Sequence, residues 1–142
     1  MRIANNKDIP AMKLILKALD NPWNPAALED CFGRNYLQWV IEDNKKIIGF
    51  LTVHTSPDQW EIMFIAIDPS YQKKNWATKL LEYAILNAKK SEVKLVQLEV
   101  RKSNLAAIRL YQKLNFKQVG LRKEYYTNEN HKEDALLFNL NL

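Results

Sequence analysis

Ile62-Met63-Phe64-Ile65-Ala66-Ile67-Asp68-Pro69-Ser70-Tyr71-Gln72-Lys73-Lys74-Asn75-Trp76-Ala77-Thr78 joins an apolar run to a short basic loop. Beyond the loop, Ala77, Leu80, Leu81, Ala84, Ile85 and Ala88 recur at helical spacing, and the stripe ends on Lys89-Lys90. The run from Ile62 to Ile67 is apolar on both faces, which predicts a strand in the middle of a sheet. A strand feeding a tight loop into a helix leaves unpaired backbone N–H groups aimed at one spot. Those donors and the helix dipole bind a phosphate or pyrophosphate. Lys73 and Lys74 add positive charge there. The same pattern also describes an ordinary strand–helix connection with surface lysines.

Upstream of this junction, Tyr36 to Glu42, Lys46 to His54 and Trp60 to Ile67 are three predicted strands. Asp43-Asn44 and Ser56-Pro57-Asp58 supply the turns, and such close spacing implies an antiparallel meander. Arg2 to Ala4 is a short edge strand. Asp8 caps a helix with Pro10 in its first turn and Met12, Ile15, Leu16 and Leu19 on one face. Asn21-Pro22-Trp23-Asn24-Pro25 breaks the chain, and Asn24-Pro25 restarts a short helix towards Phe32. Downstream, Leu95 to Val100 is a buried strand interrupted by one acid, Glu99. Asn104 caps a helix carrying Ala107, Ile108, Tyr111 and Leu114 on its inner face. Lys117 to Arg122 and Ala135 to Leu140 form a last strand pair, bridged by a polar and aromatic loop from Lys123 to Asp134. The order is mixed α/β (α+β): one mostly antiparallel central sheet flanked by helices, in a single domain spanning residues 1–142.

Composition narrows the chemistry. Of 142 residues only three are glycine, Gly33, Gly49 and Gly120, so neither a dinucleotide fingerprint nor a glycine-rich P-loop can be written. The one cysteine, Cys31, excludes an internal disulfide and a thiolate cluster, and is most simply a small buried apolar group. With only His54 and His131 besides, no metal site is expected; His54 suits packing and His131 a solvated loop. No apolar run approaches the ~18–20 residues that span a bilayer. The polar start, Met1 to Asp8, carries no signal-peptide core. A cytoplasmic protein with no membrane partner is expected. Lys and Arg outnumber Asp and Glu by 21 to 16. That excess suits a phosphate-bearing ligand, but the basic residues are scattered, so nucleic acid is not an expected partner.

Several stretches together resemble the GCN5-related N-acetyltransferase (GNAT) superfamily, whose acetyl-CoA loop reads Q/R-x-x-G-x-G/A. Here the loop is Gln72-Lys73-Lys74-Asn75-Trp76-Ala77. Within the superfamily the chain is similar to the ribosomal-protein-alanine N-acetyltransferases (RimI type). The matching stretches are Asn21-Pro22-Trp23, Ile65 to Pro69, Leu98-Glu99-Val100-Arg101-Lys102-Ser103-Asn104, Tyr111 to Phe116, Tyr125-Tyr126 and Glu133-Asp134-Ala135. They run from about Asn21 to Leu137, most of the chain. The resemblance implies acetyl-CoA as co-substrate and no metal. The donor would enter between splayed central strands, held by Ile65, Ala66, Ile67, Gln72, Lys73, Lys74, Asn75, Trp76, Ala77, Thr78 and Asn104. It implies direct transfer to a protein N-terminal amine, with the N-terminal alanine of the eighteenth small-subunit ribosomal protein as acceptor. Lysine or a small-molecule amine is the alternative acceptor, and a degenerate acetyl-CoA-binding module the non-enzymatic alternative.

The same resemblance makes Glu99 the general base and Tyr111 the acid that protonates the departing CoA thiolate. A carboxylate among Leu95, Val96, Leu98 and Val100 is costly to bury and must reach water or do work. Tyr111 lies on a core stripe, where a buried phenol needs a hydrogen-bond partner. Trp23, Tyr125 and Tyr126 would wall the acceptor site, with Glu61 attracting a basic peptide end. The chain departs from the pattern at three positions. Asn75 and Asn115 stand where the family carries glycine, and Phe64 stands where many members carry Asn. If those glycines serve only to allow positive φ, Asn is the best substitute.

Overall fold

The computed structural model describes residues 1–19, 25–128 and 131–142. Its strands are β1 (Arg2–Ile3), β2 (Tyr36–Asp43), β3 (Lys46–Thr55), β4 (Gln59–Ile67), β5 (Leu95–Arg101), β6 (Lys117–Asn128) and β7 (His131–Asn141). They form one seven-stranded sheet in the order β1-β2-β3-β4-β5-β7-β6. Its helices are α1 (Ile9–Ala18), α2 (Pro25–Asp30), α3 (Trp76–Lys90) and α4 (Leu105–Lys113). Every neighbouring strand pair is antiparallel except β4 with β5, which α3 connects as a parallel crossover.

The expected meander is present. Asn44 and Lys45, at φ 49° and 67°, close a two-residue turn between Asp43 and Lys46. Two left-handed residues match the right-handed twist of the flanking strands. The apolar stripe of α3 (Leu80, Leu81, Ala84 and Ala88) is buried in one cluster with Leu51, Val53, Ile62, Val96, Leu98 and Phe138. On the opposite face, Met12, Ile15 and Leu16 of α1 and Leu28 of α2 pack with Val40, Phe50 and Ala66.

One irregularity shapes everything near the site. The β3–β4 register runs from Thr52↔Phe64 to Val53↔Ile62, so Met63 is an extra residue on β4. A bulge bends its strand and interrupts the strict alternation of side chains. Trp60 and Ile62 face the α3 cluster; beyond Met63 it is Ile65 and Ile67 that do, while Phe64 and Ala66 turn to the other face. The ladder between β4 and β5 ends at Ile62↔Leu98. Past that point the two strands separate, the splaying that the family resemblance implies.

Three local expectations need correction. Asp8 precedes α1, but its side chain makes no capping bond to that helix. Its carboxylate instead accepts two hydrogen bonds from the Arg2 guanidinium, each 2.8 Å, and one from the Asn5 backbone at 2.8 Å. The two-pronged pair with a cation takes up the carboxylate, and Arg2 holds the buried carboxyl below its usual range. The segment Lys123 to Asp134 is not a loop but most of a long hairpin, in which Tyr126↔Glu133, Thr127↔Lys132 and Asn128↔His131 are paired. Polar residues hid it because β6 is an edge strand, where no second buried face forces an apolar pattern. His131 accordingly begins a strand and is exposed. Finally, β5 is buried on one face only, alternating with half-exposed Gln97, Glu99 and Arg101.

Gly49 sits on β3 opposite Ile67. A Cβ there would lie 2.5 Å from Ile67 Cδ1 and 2.8 Å from the Ala66 carbonyl oxygen. The backbone oxygen cannot swing aside as a side chain can. Gly49→Ala is therefore expected to lose about 1–3 kcal/mol in urea denaturation, the usual cost of overpacking. Gly120→Ala meets only the flexible Leu137 Cδ1, at 3.0 Å, and should cost less.

Candidate active site

The separation of β4 from β5 opens a cavity of about 790 Å³, closed by the start of α3 and by α4. Most of the residues expected from the sequence line it: Ile65, Ile67, Gln72, Lys73, Asn75, Trp76, Ala77, Thr78, Glu99, Asn104, Tyr111 and Tyr126. Four do not. Ala66 is turned by the strand's alternation into the α1–α2 cluster. The Lys74 ammonium lies 5.8 Å from the Tyr71 ring centroid. Glu61 is paired between His54 and Gln97, before the strands part. Tyr125 is exposed, with its ring 5.3 Å from that of Tyr126. Trp23 lies outside the described residues.

The loop before α3 contains two left-handed residues, Lys73 at φ 61° and Asn75 at φ 65°, ψ 15°. Asn115, the other position where the family pattern has glycine, is at φ 70°. Both conformations are thus kept by Asn, the non-glycine residue that tolerates them best. The Asn75 side chain makes no cap; its carbonyl accepts the helical bond from Lys79 N at 3.1 Å. The N–H groups of the first helical turn have no intrahelical acceptor, which suits them to an anion. The Gln72 amide donates to the Ile67 carbonyl at 3.1 Å, tying the loop to the end of β4.

Tyr111 reaches the cavity from α4, packed between the rings of Phe116 and Phe138 at centroid distances of 5.9 and 6.4 Å. Burial, with a smaller contribution from Tyr126, pushes its phenol up to about 12. It is therefore neutral, and able to donate, throughout the ordinary pH range. Asn104 combines its two expected roles, accepting from Ala107 N at 3.2 Å as the helix cap while lining the cavity.

Glu99 projects from β5 with its side chain 20% exposed, and its Oε1 lies 3.1 Å from Nε of Arg122. Arg122 was not among the expected residues. It pairs with Ala135 on β7, which pairs in turn with Arg101, two residues beyond Glu99. The arginine therefore crosses β7 to reach the acid. Only the hairpin register, which is invisible to periodicity, could have signalled this contact.

A register shift also brings the two tyrosines together. From Arg122↔Ala135 to Tyr126↔Glu133, β6 advances four positions while β7 advances two. Glu124 takes up the surplus at φ 51°, its N–H donating to Asp134 Oδ1 at 2.9 Å. The Arg101 guanidinium lies 4.2 Å from the Tyr126 ring centroid and 3.7 Å from Glu133 Oε2. Glu133 Oε1 accepts from Ser103 N at 2.7 Å, and hydrogen bonding from Ser103 holds that carboxyl below its usual range. Lys102 N donates to the Asp134 carbonyl at 3.0 Å. Glu133 and Asp134 thus fasten the hairpin to the turn between β5 and α4.

Among the described residues no group of three or more His, Cys, Asp and Glu side chains is placed to hold a metal. No helix there is long and apolar enough to cross a membrane.

A sheet split beside a parallel crossover, with a helix N-terminus at the split, suits a phosphate-bearing ligand, and comparison with known proteins shows the class: an acetyltransferase. The model of the acetyltransferase (GNAT) family matches residues 10–116, and the chain belongs to that family. GNAT acetyltransferases use acetyl-CoA, which makes this protein an acetyl-CoA-dependent N-acetyltransferase. Within the family it is similar to the [Ribosomal protein bS18]-alanine N-acetyltransferase of Escherichia coli strain K12. The two are 34% identical over 134 residues, covering 94% of this chain and 90% of that one. It is also 32% identical to the N-alpha-acetyltransferase RimI of Mycobacterium tuberculosis over 112 residues, 75% of this chain and 69% of that protein. The crystal structure of the ribosomal-protein-S18-alanine N-acetyltransferase from Escherichia coli superposes with a TM-score of 0.93 at 32% identity, covering 99% and 91% of the two chains.

If the loop needs its left-handed turn, Asn75→Gly should bind acetyl-CoA at least as tightly as the parent protein. Asn75→Val places a β-branched side chain where such residues are genuine outliers. At a cost of roughly 1–2 kcal/mol for the strained backbone, binding should weaken about 5–30-fold. Calorimetric titration with acetyl-CoA measures both.

Proposed function

We propose that residues 1–142 act as one N-acetyltransferase domain that modifies a protein N-terminal α-amine, the N-terminal alanine of ribosomal protein bS18 being the substrate. The observation that carries this reading is the convergence of Glu99, Tyr111 and Tyr126 on the cavity opened by the β4–β5 split. Similarity to bS18-alanine acetyltransferases along nearly the whole chain supports the acceptor.

Bound acetyl-CoA supplies the acetyl group as an activated thioester. The cavity fits such a ligand: apolar walls from Ile65, Leu98 and Val100 lead to the donors of the α3 N-terminus and to Lys73. Gln72, Lys73, Asn75, Trp76, Ala77 and Thr78, with Asn104, would hold the cofactor. The β4 edge beyond Ile62, released from β5, offers backbone donors near Ile67 to polarise the thioester carbonyl. Glu99 takes a proton from the acceptor ammonium through water, freeing the nitrogen lone pair to attack that carbonyl carbon. The new N–C bond would form as the C–S bond breaks, Tyr111 giving its proton to the sulfur while the nitrogen's second proton passes through water to the phenolate. A terminal amine ionises near ~7.7–8.0, so the base need remove only an easily lost proton. The phenol is a weaker acid than the thiol, near ~8.5, so proton transfer to the sulfur is drawn forward by return of the amine's second proton to the phenolate. Tyr126, and Tyr125 beside it, wall the acceptor peptide.

Initial rates on an alanine-terminated bS18 peptide, its N-terminally blocked form and a lysine-bearing peptide test the acceptor. Turnover should be confined to the free N-terminus; preference for lysine would replace this reading with a side-chain acetyltransferase. For the chemistry, Glu99→Gln should lower kcat at neutral pH by about 10²-fold, the lower end for loss of a general base. Part of that deficit should return by about pH 9, where the amine loses its proton unaided. Tyr111→Phe keeps the ring and its packing, so folding should survive while turnover falls at every pH. Parallel pH–rate profiles for the two variants would remove Glu99 from the role of base.

A further inference from the structure

The Glu99 carboxylate is not isolated at the cavity edge. Arg122 reaches it across β7, and the same guanidinium lies 5.2 Å from the centroid of the Tyr125 ring. We propose that Arg122 is a positioning residue that fixes the Glu99 carboxylate against the acceptor rim, joining the base to the tyrosine pair. The proposal rests on the reading of Glu99 as the base.

Three features make the arrangement specific. The residue opposite Arg122 on β7 is Ala135, fully buried, whose small side chain leaves the guanidinium a path across the strand. The residue two places earlier on β6, Gly120, stands opposite Leu137, the β7 partner of Glu99. A Cβ at Gly120 would come within 3.0 Å of Leu137 Cδ1, so glycine accommodates the Leu137 side chain beside the acid. Arg122 itself is exposed, with 54% of its side chain accessible. The Glu99 side chain, at 20% exposure, has several rotatable bonds and no other ion pair among the described residues. Anchoring one oxygen to Arg122 leaves the other to face water in the cavity. The cation also discourages a direct salt bridge between Glu99 and the acceptor ammonium, a geometry that would bind the amine in its unreactive form.

The test compares Arg122→Met, Arg122→Lys, Glu99→Gln and the double variant Glu99→Gln/Arg122→Met on one alanine-terminated peptide. Acetyl-CoA affinity is measured by calorimetry and folding by thermal melting. Arg122→Met should lower kcat about tenfold, within the ~10²-fold that misplacing a reacting group can cost. Acetyl-CoA affinity and melting temperature should stay unchanged, and the double variant should be no slower than Glu99→Gln alone. Arg122→Lys retains the charge and should recover part of kcat. An impaired Glu99→Gln combined with rate losses that multiply in the double variant overturns the role of Arg122 alone. Equal loss of acetyl-CoA affinity in Arg122→Met overturns it as well, marking a structural residue. Parental turnover in Glu99→Gln overturns the reading of the base, and the inference with it.

Discussion

The extra residue at Met63 is the constraint on which the site depends. The β4–β5 ladder ends at Ile62↔Leu98, directly before this extra residue. With it, the strand changes the parity of its side chains and departs from its parallel neighbour. Past Ile62↔Leu98 the β4 edge no longer pairs with β5, and buried backbone polar groups call for hydrogen-bond partners. A ligand carrying carbonyl and amide groups, as acetyl-CoA does, can satisfy them. In the proposed reading, the defect in the sheet and the binding of the donor are one feature.

Loop geometry is held just as tightly, but by unusual residues. All positive-φ positions among the described residues are occupied by Asn, Lys or Glu and none by glycine. Left-handed backbone costs an ordinary L-residue roughly 1–2 kcal/mol, less for Asn, whose short polar side chain bonds locally. Asn75 and Asn115 show that φ, and not the absence of a side chain, is what the fold requires at those two places. At Gly49 the opposite holds: its φ is not left-handed, and what matters is the space that Ile67 and the Ala66 carbonyl leave it.

The fold was legible because its main signals are local. Apolar runs, Asn104 as a cap, and the Asn44 and Pro57 turns each act within a few residues, and they place β2 to β5, α3 and α4 closely. The donor side of the site was legible for the same reason, since Gln72 to Thr78 is one continuous loop and helix start. Glu99 and Tyr111 became candidates through chemistry and family likeness. What stayed hidden was the edge hairpin. A strand with one partner and solvent on both sides need not alternate apolar and polar residues, so Lys123 to Asp134 looked like a loop. The Arg2–Asp8 pair escaped for a related reason: a capping position predicts where an acid stands, not which of two donors it will choose.

These two kinds of legibility correspond to the two halves of the proposed site. The donor half is built from neighbours in sequence and from the β4 bulge, so a change there alters the cofactor site itself. The acceptor half is assembled by register: four residues of β6 against two of β7 set Tyr125 beside Tyr126, and Arg122 crosses a strand to meet Glu99. Register on an edge hairpin is weakly constrained by burial, because sliding it exposes little that was covered. What fixes it here is polar: Asp134 accepting from Glu124, and Glu133 accepting from Ser103 beside Arg101. On that proposal, a carboxylate that ties the hairpin to the turn between β5 and α4 bears on the shape offered to the acceptor. Acceptor choice can then vary through the hairpin while the β4–β5 split, and the chemistry it supports, stays as it is.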